Sequence, residues 1–229
     1  MGFLYFDYYY LILVLPMLAL SLIAQGMVKS AYSKQSKVLS SRGLTGAQAA
    51  ARVLYQYGIN DVRIETVSGK LTDHYDPKAK VIRLSQEVSS GANVAAIGIA
   101  CHEAGHAAQH AENYMPIKIR NMIVPVCNIG SAIGLPIAIL GYFLGFHPLV
   151  SIGLLLYGLI ALFQFVTLPV ELNASHRAMK VIEETNMLTD DEQPGARKVL
   201  TAAAMTYVTA LLVTLANLLR FVLRFNRRN

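Results

Sequence analysis

Four long apolar runs constrain this chain of 229 residues more than any other feature. They cover residues 8–28, 117–146, 148–170 and 196–222. Each is about as long as the ~20 residues that carry a helix across a bilayer. In hydrocarbon, backbone N–H and C=O groups must be satisfied within the segment, so such a run folds as a helix. The expected fold class is mainly α: a multi-pass membrane protein with about four membrane helices. The composition agrees, being 54% hydrophobic and only 15% charged. Tyr5, Tyr8, Tyr9 and Tyr10 gather at the start of the first run, where an interfacial aromatic belt sits. A cleaved signal peptide is not expected, because no Lys or Arg precedes this run and the positive charge follows it. The pair His147-Pro148 separates the second and third runs as a tight helical hairpin. Pro125 and Pro136 fall inside the second run, which is tolerable where neighbouring groups re-satisfy the backbone.

The formal net charge is +6. In a chain this apolar, a basic surplus points to cytoplasmic loops and not to a nucleic-acid partner. Residues 29–116 carry Lys29, Lys34, Lys37 and Arg42 at their start, whereas residues 1–10 and the His147-Pro148 turn carry no Lys or Arg. The positive-inside bias then puts the amino terminus outside and residues 29–116 in the cytoplasm. A full crossing by the fourth run sends Arg220, Arg224, Arg227 and Arg228 outside, against that bias. Its length favours the crossing nonetheless. The two cysteines, Cys101 and Cys127, give no disulfide framework, and Cys101 is expected as a small buried hydrophobe.

Residues 29–116 are mixed in composition and form the expected extramembrane α+β part. Thr45 is placed to cap a helix that Gly58 would end. In residues 61–67, Val62 and Ile64 alternate with Arg63 and Glu65, a strand pattern, and residues 80–85 give a second strand. Ser68-Gly69 and Asp76-Pro77 mark turns. The expectation is a small β-hairpin or sheet, and an edge of it can hold a peptide as an added strand.

Directly after this β-element stands His102-Glu103-Ala104-Gly105-His106, on a helix expected over residues 91–112. Positions i and i+4 of a helix share one face, so both imidazoles can meet one Zn²⁺. Glu103 is rotated about 100° away, off the metal but near enough to serve as general base. With this content of His and Glu, the pattern arises by chance with a probability of about half a per cent. The setting strengthens it: Val94, Ala95, Ala96, Ile97, Ala107 and Ala108 flank the motif, and two His and a Glu are costly to bury there unless something satisfies them.

A catalytic zinc takes three protein ligands and keeps one position for water. Downstream of His106 the carboxylates are Glu112, Glu171, Glu183, Glu184, Asp190, Asp191 and Glu192. Glu112 lies on a different helix face, Glu183 and Glu184 fit a polar face, and residues 190–192 look like a solvated helix start with a capping box from Thr189 to Glu192. Glu171 stands where a membrane helix emerges, at a depth where an unpaired carboxylate is expensive. It heads a short helix expected over residues 171–193.

His102-Glu-Ala-Gly-His106, a membrane hairpin and then Glu171-Leu-Asn-Ala-Ser175 resemble the gluzincin plan of membrane-bound zinc proteases, in the layout of HtpX and the CAAX prenyl proteases. More closely, the chain resembles the YugP-type bacterial membrane-bound zinc metallopeptidases. Leu44-Thr-Gly-Ala-Gln-Ala-Ala50, Leu71-Thr-Asp-His-Tyr-Asp-Pro77, Ala100-Cys-His-Glu-Ala-Gly-His-Ala-Ala-Gln-His110 and Glu171-Leu-Asn-Ala-Ser-His-Arg-Ala178 carry this likeness. The resemblance implies a gluzincin-like zinc-protease domain, with His102, His106 and Glu171 as metal ligands and Glu103 as catalytic base. The broader group has Asp where this chain has Ser175. That Asp would orient a ligand histidine, whereas Ser175 can offer a hydrogen bond without charge.

The implied activity is zinc-dependent hydrolysis of peptide bonds by a membrane-embedded metalloendopeptidase, with membrane-associated proteins as substrates and the zinc site on the cytoplasmic side. Oxyanion donors are sought among His74, His176 and Arg177, and His110 is expected to form a wall or to support a ligand. Two other classes stay open: a zinc-dependent amide hydrolase of a non-peptide membrane substrate, and a non-catalytic scaffold stabilised by zinc. A His-His-Glu set argues against the scaffold, since structural sites are closed by four ligands and favour Cys.

Overall fold

Seven helices and three short strands make up the described chain, which covers residues 7–70 and 72–226 of a computed structural model. Tyr5, Leu71, Arg227 and Arg228, named above, lie outside the described residues. The helices are α1 (Leu15–Gln35), α2 (Gly46–Gln56), α3 (Gln86–Ser89), α4 (Val94–Ala111), α5 (Met115–Phe143), α6 (His147–Glu184) and α7 (Gln193–Asn226). The strands are β1 (Arg63–Val67), β2 (His74–Asp76) and β3 (Val81–Ser85). The chain divides into two units, one of residues 7–24, 118–169 and 205–226, the other of residues 25–117 and 170–204. Thus α1, α5, α6 and α7 each run from one unit into the other.

The first unit is helical. Four helices are long and apolar enough to cross a membrane: Tyr10–Gln35, Met115–Phe143, His147–Glu184 and Gln193–Arg224. Large side chains such as Leu22, Met122, Leu155 and Phe165 stay exposed on them, as a lipid-facing surface requires. A π turn over Tyr10–Val14 leads into α1. Pro16 lacks the N–H that would close a regular turn onto Ile12, and the wider turn accommodates the defect. The hairpin of α5 and α6 is close-packed through glycine. A Cβ on Gly153 would meet the backbone N of Ala138 at 2.3 Å, the small-residue contact that membrane helices use in place of a hydrophobic drive.

At one end of this unit Asp7 accepts the backbone N–H of Tyr10 on Oδ1 at 2.8 Å and Nε–H of Arg220 on Oδ2 at 3.1 Å, with Arg224 on the same oxygen. The Arg220 guanidinium lies 5.0 Å from the Tyr10 ring centroid and 5.3 Å from that of Phe221. The start of the first helical segment and the end of α7 are therefore neighbours. Two of the arginines that oppose the positive-inside bias have a carboxylate partner.

In the second unit, α2 and α4 pack side by side over a core that includes Val53, Ile82, Leu84, Val88, Ile97, Ile182 and Leu188. Thr45 caps α2 in a full capping box with Gln48, and Gly58, at φ 66°, follows its C-cap. Strand order is β1-β3-β2. The strands around residues 61–67 and 80–85 are not partners in a hairpin: β1 and β3 run parallel. The hairpin lies between β2 and β3, across the Asp76-Pro77 turn. The short β2 was hidden by its length and by its polar His74 and Asp76.

Two further expectations are corrected. Residues 171–193 do not begin a separate helix; α6 continues unbroken to Glu184 with Pro169 inside it. The freed carbonyl ahead of Pro169 is tolerated within a long helix. Glu192 is not solvated: it is 8% exposed and accepts the N–H and O–H of Ser41, both at 2.7 Å, besides the Thr189 N–H of the expected cap. These bonds outweigh the cost of its burial and hold its carboxyl below the usual range.

Candidate metal centre

The motif helix α4 starts at Asn93, whose side chain accepts the Ala96 N–H at 2.9 Å. Its small residues let other helices approach closely. At Gly105, inside the motif, a Cβ would lie 2.6 Å from the Ala174 carbonyl oxygen of α6. Only glycine permits that approach, which brings the Glu171 turn of α6 against the two histidines.

Glu171 Oε2 stands 3.3 Å from His102 Nε2 and 3.5 Å from His106 Nε2. The ligating atoms of the three residues all lie within 4.8 Å of one another, and among the described residues they form a group able to hold a metal ion. The two rings are nearly perpendicular, at 82°, with centroids 4.8 Å apart. Both are held from behind through Nδ1: His102 against Ser175 Oγ and His106 against Gln109 Oε1, each at 3.0 Å. Supporting the rear nitrogen leaves Nε2 of each ring turned toward the carboxylate, as a metal ligand requires. Two imidazole nitrogens and a carboxylate oxygen form a zinc donor set. The residues present therefore fit the metal.

His106 is buried. Burial works against its charged form, but the hydrogen bond and charge of Glu171, the charge of Glu103 and the Gln109 bond outweigh it. Its pKa is held above the ordinary histidine value. Glu103 is half-buried one position along from His102.

The remaining candidates separate. Ser175 contacts His102, as its place in the sequence suggested. His110 packs its ring against Tyr75 of β2, centroids 5.5 Å apart. His74 donates from Nδ1 to the Thr72 carbonyl at 2.7 Å, and Arg83 approaches its Nε2. His176 is exposed on α6. Arg177 donates to Asn173 and Glu112 and lies between the rings of Tyr57 and Tyr114. Among the described residues, His74 and His176 are not in the group that converges on Glu171. Gln109 and Asn173 escaped the sequence reading. The signal for Gln109 is an amide between Ala108 and His110, one turn beyond His106.

Comparison with known proteins agrees with this geometry. A family profile described as putative neutral zinc metallopeptidase matches residues 10–226. The chain is 45% identical over 216 residues to the "Putative membrane protease YugP" of Bacillus subtilis (strain 168), covering 94% of this chain and 96% of that protein. No solved structure matches. A likeness spread over nearly the whole of both chains takes in the zinc motif, the glutamate on α6 and all four apolar helices, and the chain belongs to the family of putative neutral zinc metallopeptidases.

Proposed function

We propose that this protein is a membrane-embedded zinc metalloendopeptidase that cleaves peptide bonds in membrane-associated proteins. His102, His106 and Glu171 are its metal ligands and Glu103 its general base. The observation that carries the reading is the convergence of Glu171 on the Nε2 atoms of both histidines while Ser175 and Gln109 occupy the two Nδ1 atoms. Zinc, when bound, supplies Lewis acidity and brings the pKa of water toward about 7. The Glu103 carboxylate takes up a proton at its oxygen as the nucleophile forms and returns it to the leaving amine. Ser175 and Gln109 keep the ligand rings oriented. The Tyr75 and His110 rings wall the side toward β2, an outer strand of its sheet where an extended peptide can add a strand.

Chain continuity supports the substrate class. Glu171 comes at once after the apolar residues 148–170 of the same helix, and α5 begins four residues beyond the end of α4. The site is thus tethered within a few residues of two membrane-capable helices. The basic residues 29–116 favour its placement on the cytoplasmic side.

Purified protein should cleave an unstructured peptide substrate in detergent. Glu103→Gln should keep its zinc and lose activity by about 10²–10⁴-fold. Unchanged cleavage by this variant would remove Glu103 as base. Ser36→Cys, in a background lacking Cys101 and Cys127, should resist a membrane-impermeant thiol reagent in intact cells and react after lysis. Labelling in intact cells would put the site outside.

A further inference from the structure

We propose that Gln109 is a positioning residue for the metal centre. It fixes the tautomer of His106 and, with the same side chain, holds the turn of α6 that presents Glu171. The inference rests on the metal reading above. Gln109 is 0% exposed and every polar atom of its side chain is engaged. Its Nε2 donates to the Val170 carbonyl at 2.7 Å and to Asn173 Oδ1 at 2.9 Å. A carbonyl can only accept, so the amide nitrogen of Gln109 must face Val170. Its oxygen must then face His106. An oxygen there accepts only from a protonated Nδ1, so the neutral ring carries its hydrogen on Nδ1 and presents the Nε2 lone pair to Glu171 and the metal. One hydrogen-bond pattern thereby selects the tautomer, with no freedom for the amide to flip.

The other arm acts on the third ligand. Val170 and Asn173 bracket Glu171 on α6, and Gln109 grips both. Asn173 Oδ1 also accepts Nε–H of Arg177 at 2.7 Å. Arg177 is itself fixed by Glu112 and by the rings of Tyr57 and Tyr114, each 5.7 Å from its guanidinium carbon. The chain of contacts runs Arg177, Asn173, Gln109, His106. An amide therefore does for His106 what a carboxylate does in many zinc sites, and the anchoring charge of Arg177 stands two residues away.

The test measures zinc affinity by chelator competition on full-length protein in detergent, with melting of the metal-free form and the visible spectrum of the cobalt-loaded form as further readouts. Gln109→Met keeps the volume and removes all three bonds; its zinc affinity should fall about 10–100-fold and its cobalt spectrum should change. Asn173→Leu should weaken zinc to a smaller extent. Asn173→Asp keeps an acceptor for both donors and should restore binding to within about threefold of wild type, since supporting contacts act through the ligand they orient. Wild-type affinity in Gln109→Met, or equal losses from Leu and Asp at 173, would overturn the proposal. If Gln109→Met does not fold, the pair at 173 decides alone. Zinc binding by wild type with no effect of these variants removes only this inference, whereas absence of zinc from wild type removes the metal reading with it.

Discussion

Each unit of the molecule holds a carboxylate gripped by ionisable or titratable side chains, Asp7 in one and Glu171 in the other, and the two clusters are built on opposite principles. Around Asp7, donors face acceptors: Tyr10 N–H, Arg220 and Arg224 all point at carboxylate oxygens. The carboxylate charge is matched by two guanidinium groups. Between Glu171 and His106, an acceptor faces an acceptor. Gln109 holds a hydrogen on the far side of His106, so the near nitrogen meets the carboxylate lone pair to lone pair. Such a contact is favourable only with a cation or a proton between the atoms. Buried charge is therefore not by itself the mark of a ligand site. The mark is the kind of atom turned inward.

The largest test of this contrast removes one carboxylate from each cluster. Glu171→Ala should reduce the zinc content of purified protein to background, because it deletes one of three ligands. Asp7→Ala should leave zinc content unchanged and destabilise the fold by about 1.5–3 kcal/mol, the worth of a hydrogen bond to a charged group. Thermal melting in detergent reads that loss. Zinc loss from Asp7→Ala would erase the distinction between the clusters.

A smaller effect is expected at Gly105. The added methyl of Gly105→Ala meets the Ala174 carbonyl at 2.6 Å and forces α6 outward. Overpacking of this kind costs about 1–3 kcal/mol, and zinc affinity should weaken by roughly tenfold or more while the Asp7 pairing is unaffected. Wild-type affinity would mean that the close approach of α4 and α6 does not set the ligand distances.

The smallest effect sharpens the contrast through pH. The raised pKa of His106 means that the metal-free ring binds its extra proton more tightly than a free histidine does. Zinc must displace that proton. Its affinity should be greatest above the raised pKa and decline as pH falls through it, by at most about one decade per pH unit for one proton. Chelator competition across neutral pH measures the slope. A flat profile would show that the metal and this proton do not compete.

Much of this was legible in advance. The helices followed from bilayer length, the capping of α2 from Thr45 and Gly58, and the pairing of His102 and His106 on one face from their spacing on one helix. What escaped the sequence reading depended on partners far along the chain. Glu192 looked like a solvated helix start because nothing near it in sequence reveals Ser41, which buries it. The strand β2 was overlooked because three residues are too few to show a period, and the pairing of β1 with β3 is parallel and needs an intervening crossover. Gln109 offers no signal beyond being an amide one turn past His106 on a small-residue helix.

The sequence by itself determined the membrane character of the chain, the helix carrying His102, Glu103 and His106, and Glu171 as the carboxylate to suspect. Length, apolarity and a four-residue spacing are local properties, and backbone geometry converts them directly into structure. The tertiary structure alone decided that Glu171 reaches both histidines, that Ser175 stands behind His102, that Gln109 grips Val170 of α6, and that Asp7 meets Arg220 and Arg224. Those contacts join residues 61 to 217 positions apart. Only the packing of α6 against α4 at Gly105, and of α7 beside the start of the chain, brings them within hydrogen-bonding distance.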